Sequence, residues 1–78
     1  MRPKIFLKAV GDEVRERRRQ AKLSQEALAH RAGIHTNIVG RLERGDNNPT
    51  LLTLLAIASE LGVSVADLLG SALQRTPE

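Results

Sequence analysis

Apolar side chains recur three or four positions apart in five stretches of this chain, and short polar segments separate the stretches. This spacing places one apolar stripe along a helix, whereas a half-buried strand would alternate apolar and polar positions. The predicted helices cover residues 5–20, 25–32, 36–44, 51–61 and 65–69 or slightly beyond. With short connections and no strand pattern, the chain is predicted to form a compact all-α domain of five helices.

Residues suited to helix ends stand at the predicted boundaries. Ser24, Thr50 and Ser64 each precede a helix, where a hydroxyl can accept a hydrogen bond from a backbone N–H that has no partner. Glycines follow three of the helices, and a glycine readily adopts the positive φ that ends a helix sharply. These glycines are Gly33, Gly45 and Gly62.

The apolar stripes of the first and fourth helices define much of the predicted core. The first stripe comprises Leu7, Val10, Val14 and Ala21. Gly11 lies inside this helix and costs about 1 kcal/mol relative to alanine, which favours a start nearer Asp12 as an alternative. The fourth helix is predicted to face inward through Leu51, Leu54, Ile57, Ala58 and Leu61.

The central stretch LSQEALAHRAGIHTNIVGRLERG, residues 23–45, predicts two short helices joined by a tight turn. It resembles the helix-turn-helix of the Cro and phage-repressor family, also called the Xre family. The matching residues are Leu-Ser-Gln-Glu-x-Leu-Ala at 23–29, Ala-Gly-Ile at 32–34, Val39, Leu42 and Glu-Arg-Gly at 43–45. The resemblance continues through Asn-Pro-Thr-Leu at 48–51 to Asp-Leu-Leu at 67–69, and it covers roughly residues 10–69.

The resemblance implies a lambda-repressor-like fold and a sequence-specific transcriptional regulator of bacterial or phage type that binds double-stranded DNA. Similar proteins include stand-alone regulators and the controllers of restriction-modification systems, so a repressor or autoregulator is expected. The expected organisation is a flexible basic arm at residues 1–7, the DNA-binding domain at 8–70 and a tail at 71–78. No signal-peptide or bilayer-spanning pattern is present, so the cytoplasm is the expected location.

The basic residues are concentrated in one half of the chain. Residues 1–44 contain eleven Lys and Arg against five Asp and Glu, a charge of +6, whereas residues 45–78 carry −3. The net charge of +3 is therefore the sum of a basic first part and an acidic second part of the chain. A basic half that contains the helix pair is typical of a protein that binds phosphates at one end.

The composition argues against an enzyme or a metalloprotein. The chain has no cysteine, no phosphate-binding glycine loop and no cluster of histidines with carboxylates. Its two histidines, His30 and His35, are five positions apart across the predicted turn, which makes a poor metal site. Neither a cofactor nor a small-molecule effector is expected.

The second helix of the pair would lie in the major groove, where base edges present distinguishable donors and acceptors. Positions carried over from the family give the expected base-reading residues, which are His35, Thr36, Asn37 and Arg41. Gln25 can bind a phosphate through its amide at the start of the first helix of the pair. The other expected phosphate-binding residues are Arg44, Asn47, Asn48 and Thr50.

Arg18 lies on the apolar face of the first helix, one turn beyond Val14. A buried arginine needs a carboxylate partner, because an unpaired buried charge is very costly. In the family that the chain resembles, this position commonly pairs with the glutamate that is Glu43 here. We therefore predict an Arg18–Glu43 ion pair with a structural role.

Several apolar residues of the last two helices remain once the core is filled. They are Leu52, Leu55, Val65, Leu69 and Leu73. If they share one surface, a twofold homodimer would bury it; alternatively, several of them pack inside the protomer. A dimer would bind an imperfectly palindromic operator. The main rival function is an antitoxin-type interaction module that also binds DNA and uses these leucines to contact a toxin.

Overall fold

The computed structural model describes residues 2–76, and within that range the chain forms five α-helices and no strand. The helices are α1 (Pro3–Gln20), α2 (Gln25–Ala32), α3 (Thr36–Glu43), α4 (Leu51–Leu61) and α5 (Val65–Gln74). The predicted all-α, five-helix fold is therefore confirmed. Met1 of the predicted arm and Pro77 and Glu78 of the predicted tail lie outside the described residues.

The predicted helix caps are present. Ser24 accepts a hydrogen bond from the Ala27 N–H, Thr50 accepts one from Thr53, and Ser64 accepts one from Asp67. Each bond satisfies a backbone donor that the first turn of a helix leaves without a partner. The glycines that end helices or turns all have positive φ, at 73° for Gly33, 76° for Gly45 and 73° for Gly62.

The core forms where the inner stripes of all five helices meet. The fully buried large side chains are Val10, Val14, Leu28, Val39, Leu42, Ile57, Leu68 and the polar Glu43. α1 packs against both α3 and α5, and α2 packs against α3 and α4. Because α3 is held from two sides by α1 and α2, its remaining side is left for solvent or a partner.

Both ends of the helical domain extend beyond the predicted boundaries. α1 begins at Pro3, so residues 3–7 of the predicted arm are helical; a proline fits the first helical position, and Phe6 packs against the core. α1 also continues through Gly11 without a break. α5 runs to Gln74, because Ala72 extends the buried stripe of the helix. The tail predicted from residue 71 was therefore wrong as far as Gln74.

Two predicted core residues are exposed. Leu51 is the first residue of α4 and is 76% exposed, because the helix first reaches the core one turn later, at Leu54. Ala21 lies beyond the end of α1, and the chain leaves the helix through Lys22, which has a positive φ of 59°. Both errors therefore lie at helix ends, at the first residue of α4 and just beyond the last residue of α1.

Among residues 2–76, no single helix is both long enough and apolar enough to cross a bilayer. α4 and α5 reach the required length and composition only as a pair, and the two helices are bent by 95° relative to each other.

Candidate nucleic-acid interface

α2 and α3 form a helix-turn-helix around a three-residue connection. The left-handed Gly33 ends α2, and the Ile34 N–H donates to the Ala29 carbonyl at 3.0 Å, which closes the turn. Ile34 packs partly against the core and so fixes the angle between the two helices. α3 then starts at once, capped by His35.

The side chains of α3 divide into an inner apolar and an outer polar set. Val39 and Leu42 are fully buried against the neighbouring helices. Asn37 and Arg41 are exposed, and Thr36 is half-buried. The predicted base-reading residues of α3 therefore lie on its solvent side, where another molecule can reach them.

His35 has a local role that sequence reasoning missed. Its Nδ1 accepts a hydrogen bond from the Asn37 N–H at 3.2 Å, so the imidazole caps α3 as a serine or threonine would elsewhere. With Nδ1 used in this way, only Nε2 is available to an outside partner. Within residues 2–76, no group of three or more His, Asp or Glu is arranged to hold a metal ion.

A concavity of about 370 Å³ lies between the start of α2 and the outer side of α3, and we call it the α3 concavity. Its lining residues are Gln25, Thr36, Asn37, Gly40, Arg41 and Arg44. The lining thus offers two guanidinium groups, two carboxamides and a hydroxyl, and it contains no carboxylate. Such a surface favours an anionic partner rich in hydrogen-bond acceptors.

Gly40 shapes the floor of this concavity. A Cβ at this position would lie 3.4 Å from Arg44 Nη1 and 3.6 Å from Gln25 Oε1. Both side chains therefore reach over the bare backbone of Gly40, and this glycine is buried although it lies on the outer side of α3. The sequence gives no sign of this covering, because it depends on how α2 packs against α3.

The structure brings Arg18 and Glu43 together beneath the helix pair. Arg18 Nε donates to Glu43 Oε2 at 2.6 Å, and Nη2 donates to Oε1 at 3.0 Å. Arg18 Nη1 also donates to the Leu23 carbonyl at 2.8 Å, and Arg15 Nε approaches Glu43 Oε1 at 3.4 Å. The fully buried carboxylate thus ties α1 to the end of α3.

These contacts set the ionisation of the pair. Burial by itself would raise the pKa of Glu43, but the hydrogen bonds from Arg18 and Gln25 and the charge of Arg18 outweigh it and hold that pKa below its usual value. The hydrogen bond to Glu43 raises the pKa of Arg18. Both groups are therefore charged at neutral pH.

Gln25 has a protein partner that the sequence did not reveal. Its Nε2 donates to Glu43 Oε1 at 3.0 Å, across 18 positions of sequence. One of its two N–H groups is therefore engaged inside the protein, and the expected phosphate contact has only the other. Neither residue type signals this pairing in a sequence, because it depends on how α2 packs against α3.

The other expected phosphate-binding residues lie from the end of α3 to the start of α4. Arg44 is exposed and its Nε donates to Asp46 Oδ2 at 3.3 Å, while Asn47 is half-buried and Asn48 is exposed. The Thr50 hydroxyl is engaged with Thr53, at 3.1 Å from the backbone nitrogen and 3.0 Å from Oγ1. A phosphate contact through the hydroxyl hydrogen would therefore compete with the bond to Thr53 Oγ1, whereas the cap of α4 uses the oxygen of Thr50 as an acceptor.

The leucines expected at a dimer interface fall into two groups. Leu52 is 77% exposed, Leu55 56% and Leu73 48%. Val65 and Leu69 are instead half-buried and pack partly against the core, which agrees with the alternative left open for them. The exposed Leu51 enlarges the apolar surface of α4 beyond the residues identified in the sequence.

A second polar cluster, which the sequence did not reveal, joins α1 to the last turn of α5. Glu13, only 6% exposed, accepts from Arg17 Nε at 2.6 Å and from Arg75 Nε at 2.8 Å. Arg17 Nη2 also donates to Ser71 Oγ at 3.1 Å, and Arg75 pairs with Glu16. We call these residues the Glu13 cluster.

The Glu13 cluster also has a defined charge state. Burial would raise the pKa of Glu13, but the hydrogen bonds and charges of Arg75 and Arg17 dominate and keep it below the usual value. The hydrogen bond to Glu13 in turn raises the pKa of Arg75. Arg17 is held in this cluster by its bonds to Glu13 and Ser71.

Comparisons with known proteins agree with this geometry. A family model described as helix-turn-helix matches residues 14–68. Control protein C.SmaI of Serratia marcescens is 42% identical over 60 residues, which span 77% of this chain and 71% of that protein. The HTH-type transcriptional regulator y4dJ of Sinorhizobium fredii is 41% identical over 61 residues, which span 78% of this chain and 79% of that protein.

A solved structure has the same arrangement of helices. The restriction-modification controller protein C.AhdI of Aeromonas hydrophila superposes with a TM-score of 0.77 at 37% identity, over 80% of this chain and 94% of that protein. The names of these three proteins describe regulators and controllers.

Proposed function

Because this chain belongs to the helix-turn-helix family of DNA-binding transcriptional regulators, we propose that it acts as a homodimer on an imperfectly palindromic operator, as a repressor or autoregulator. This family consists of DNA-binding regulators and not of enzymes. The observation that carries the proposal is the α3 concavity, whose lining supplies guanidinium and carboxamide donors without a carboxylate. The protein would act in the cytoplasm, where it would reach the nucleoid.

In the proposed complex, α3 enters the major groove with its N-terminal half towards the bases. Arg41 would donate two hydrogen bonds to guanine O6 and N7, and Asn37 would pair with adenine N6 and N7. Thr36 would contact a base or a thymine methyl, and His35 would offer Nε2. The exposure of Asn37 and Arg41 supports these roles.

The sugar–phosphate backbone would be contacted on both sides of α3. Gln25 would bind a phosphate at the start of α2, where free backbone N–H groups also favour an anion. Arg44, Asn47, Asn48 and Thr50 would contact the neighbouring stretch of backbone. The charge of +6 on residues 1–44 supports this assignment, because charge neutralisation supplies much of the affinity for DNA.

The homodimer would use the exposed leucines of the last two helices. Leu52, Leu55 and Leu73 form the exposed part of the proposed interface, and Val65 and Leu69 would contribute their uncovered atoms. One domain contacts few bases, so two domains are needed for high affinity. A twofold dimer would place its two α3 helices about 34 Å apart, one turn of B-DNA.

Selection of bound duplexes from random DNA, followed by sequencing, tests the proposed function. The expected result is an imperfect palindrome whose half-sites are centred about 10 base pairs apart. Recovery of no common sequence would overturn sequence-specific binding. Light scattering after size exclusion tests the assembly and separates the antitoxin alternative: a stable dimer of the chain alone supports the homodimeric regulator, and a monomer contradicts it.

A further inference from the structure

The carboxamide of Gln25 lies between two parts of α3. Its Nε2 donates to Glu43 Oε1 at 3.0 Å, while its Oε1 lies on the side of Gly40. A carboxylate can only accept hydrogen bonds, so Glu43 selects the amide orientation in which the nitrogen faces it. The other orientation would place two oxygens against each other in a partly buried position.

The fixed orientation of the Gln25 amide leaves one of its N–H groups for a molecule outside the protein. Nε2 carries two N–H groups and Glu43 uses one of them, so the second remains a donor at the edge of the α3 concavity. A phosphate oxygen is an acceptor that such a donor can bind. A freely rotating amide would not hold this N–H in one direction, and fixing it on binding would cost affinity.

We propose that Glu43 is a positioning residue for the DNA backbone contact, because it holds Gln25 with one N–H turned towards a phosphate. The proposal rests on the proposed function and adds a residue to it. Glu43 is fully buried and does not reach DNA, so it acts through Gln25. Arg18 fixes the carboxylate with two hydrogen bonds, and the phosphate contact on α2 is thereby set relative to α3.

A double-mutant cycle tests whether Glu43 acts through Gln25. Glu43 alone cannot be removed cleanly, because Arg18 would lose its partner in a buried position. The variant Arg18→Met/Glu43→Leu therefore replaces both charges by apolar groups, a change that proteins often tolerate, and it leaves the net charge unaltered. Affinities for the selected operator and for a scrambled duplex are measured at one salt concentration for the wild type, Gln25→Ala, the pair replacement and the triple variant.

The expected result is strong coupling between the two sites. Gln25→Ala and the pair replacement each weaken binding to both duplexes about tenfold to hundredfold, the effect of losing one hydrogen bond to a charged group. The triple variant binds no more weakly than either. Losses that multiply in the triple variant, or a pair replacement that binds like the wild type, overturn the positioning role. Absence of binding by the wild type to any duplex would instead refute the proposed function.

A second measurement on the wild type avoids any dependence on variants that fold. In an NMR spectrum of the free protein, the two side-chain amide protons of Gln25 should differ in chemical shift by more than those of the exposed Gln20, and they should exchange more slowly with water. Addition of operator DNA should shift mainly the proton that Glu43 does not bind. Amide protons of Gln25 that match those of Gln20 in the free protein would overturn the proposal.

Discussion

Gly11 of α1 lies directly against the carbonyl oxygen of Leu42 in α3. A Cβ on Gly11 would fall 2.3 Å from that oxygen, and 2.8 Å from the carbonyl oxygen of Glu43. These are backbone atoms at the end of α3, so they cannot move aside without moving the helix. The missing side chain of Gly11 therefore allows the close approach through which α1 supports α3.

Gly11→Ala should destabilise the protein although alanine is the better helix former. Alanine gains about 1 kcal/mol of helix propensity, but the clash with two carbonyl oxygens forces α1 and α3 apart. We expect a net loss of about 1–3 kcal/mol in the free energy of unfolding, typical of an overpacked core. Urea unfolding followed by circular dichroism measures it.

Gly70 in α5 provides the matched control for this prediction. A Cβ there would have no neighbour within 4 Å, so Gly70→Ala should stabilise the protein by about 0.5–1 kcal/mol. Opposite signs for the two substitutions are the expected outcome. An equal gain in stability from both would mean that α1 and α3 do not approach as closely as described.

Much of the fold could be predicted because its signals are local. A cap such as Ser24 lies three positions before the N–H that it binds, and Gly33 ends α2 by its own backbone conformation. The two ends of the domain were misjudged because they depend on distant partners. Phe6 packs against a core built by other helices, and Arg75 binds Glu13, 62 positions away.

Glu13→Gln should lower stability at neutral pH and have little effect in acid. The pKa of Glu13 is lowered in the folded protein, so its carboxylate stabilises the fold above the usual value of 4.5, and this contribution disappears as the pH falls through the folded pKa. We expect a loss of about 1 kcal/mol at pH 7, allowing for the partial exposure of Arg17 and Arg75. Thermal unfolding at pH 7 and at pH 3 measures the difference.

Glu60→Gln serves as the control for pH dependence, because Glu60 is exposed on α4. Its unfolding curves should follow those of the wild type at both pH values. If Glu13→Gln behaved in the same way, the contacts of the Glu13 cluster would not contribute to stability, and α5 would be held by its apolar stripe alone.

The candidate interface was only partly predictable for the same reason as the fold. Helical periodicity identifies the outer side of α3, since Val39 and Leu42 must face inward. It does not reveal that Gln25 binds Glu43 or that Arg44 lies over Gly40, because these contacts depend on the packing angle of α2 and α3. A sequence therefore indicates which side chains are outside but not which of their donors are free.

Arg41→Ala should weaken binding mainly at one operator position. A bidentate arginine–guanine contact provides about 1–3 kcal/mol of discrimination, so affinity for the selected operator should fall about tenfold or more, and affinity for scrambled DNA much less. Competition binding with operators substituted at each position measures this. Equal losses on operator and scrambled DNA would refute the base-reading role.

Arg19→Ala is the matched control for Arg41, because it removes the same charge from an exposed residue that lines a different concavity, on α1. We expect small losses of equal size on operator and scrambled DNA, since only long-range attraction is reduced. A sequence-dependent loss for Arg19→Ala would mean that α1 also takes part in reading the operator.

Leu55→Glu should convert a dimer into folded monomers. Leu55 is 56% exposed in the protomer, so glutamate is tolerated in the free domain but would be buried without a partner in the proposed interface. Sedimentation equilibrium should show the mass of one chain, and the melting temperature should no longer rise with protein concentration, as it does for a dimer that unfolds to monomers. Affinity for the full operator should fall more than affinity for a single half-site.

Ile5→Glu, at an exposed apolar residue of α1, should leave the dimer intact. A dimer that survived Leu55→Glu but dissociated with Ile5→Glu would move the interface from α4 and α5 to α1.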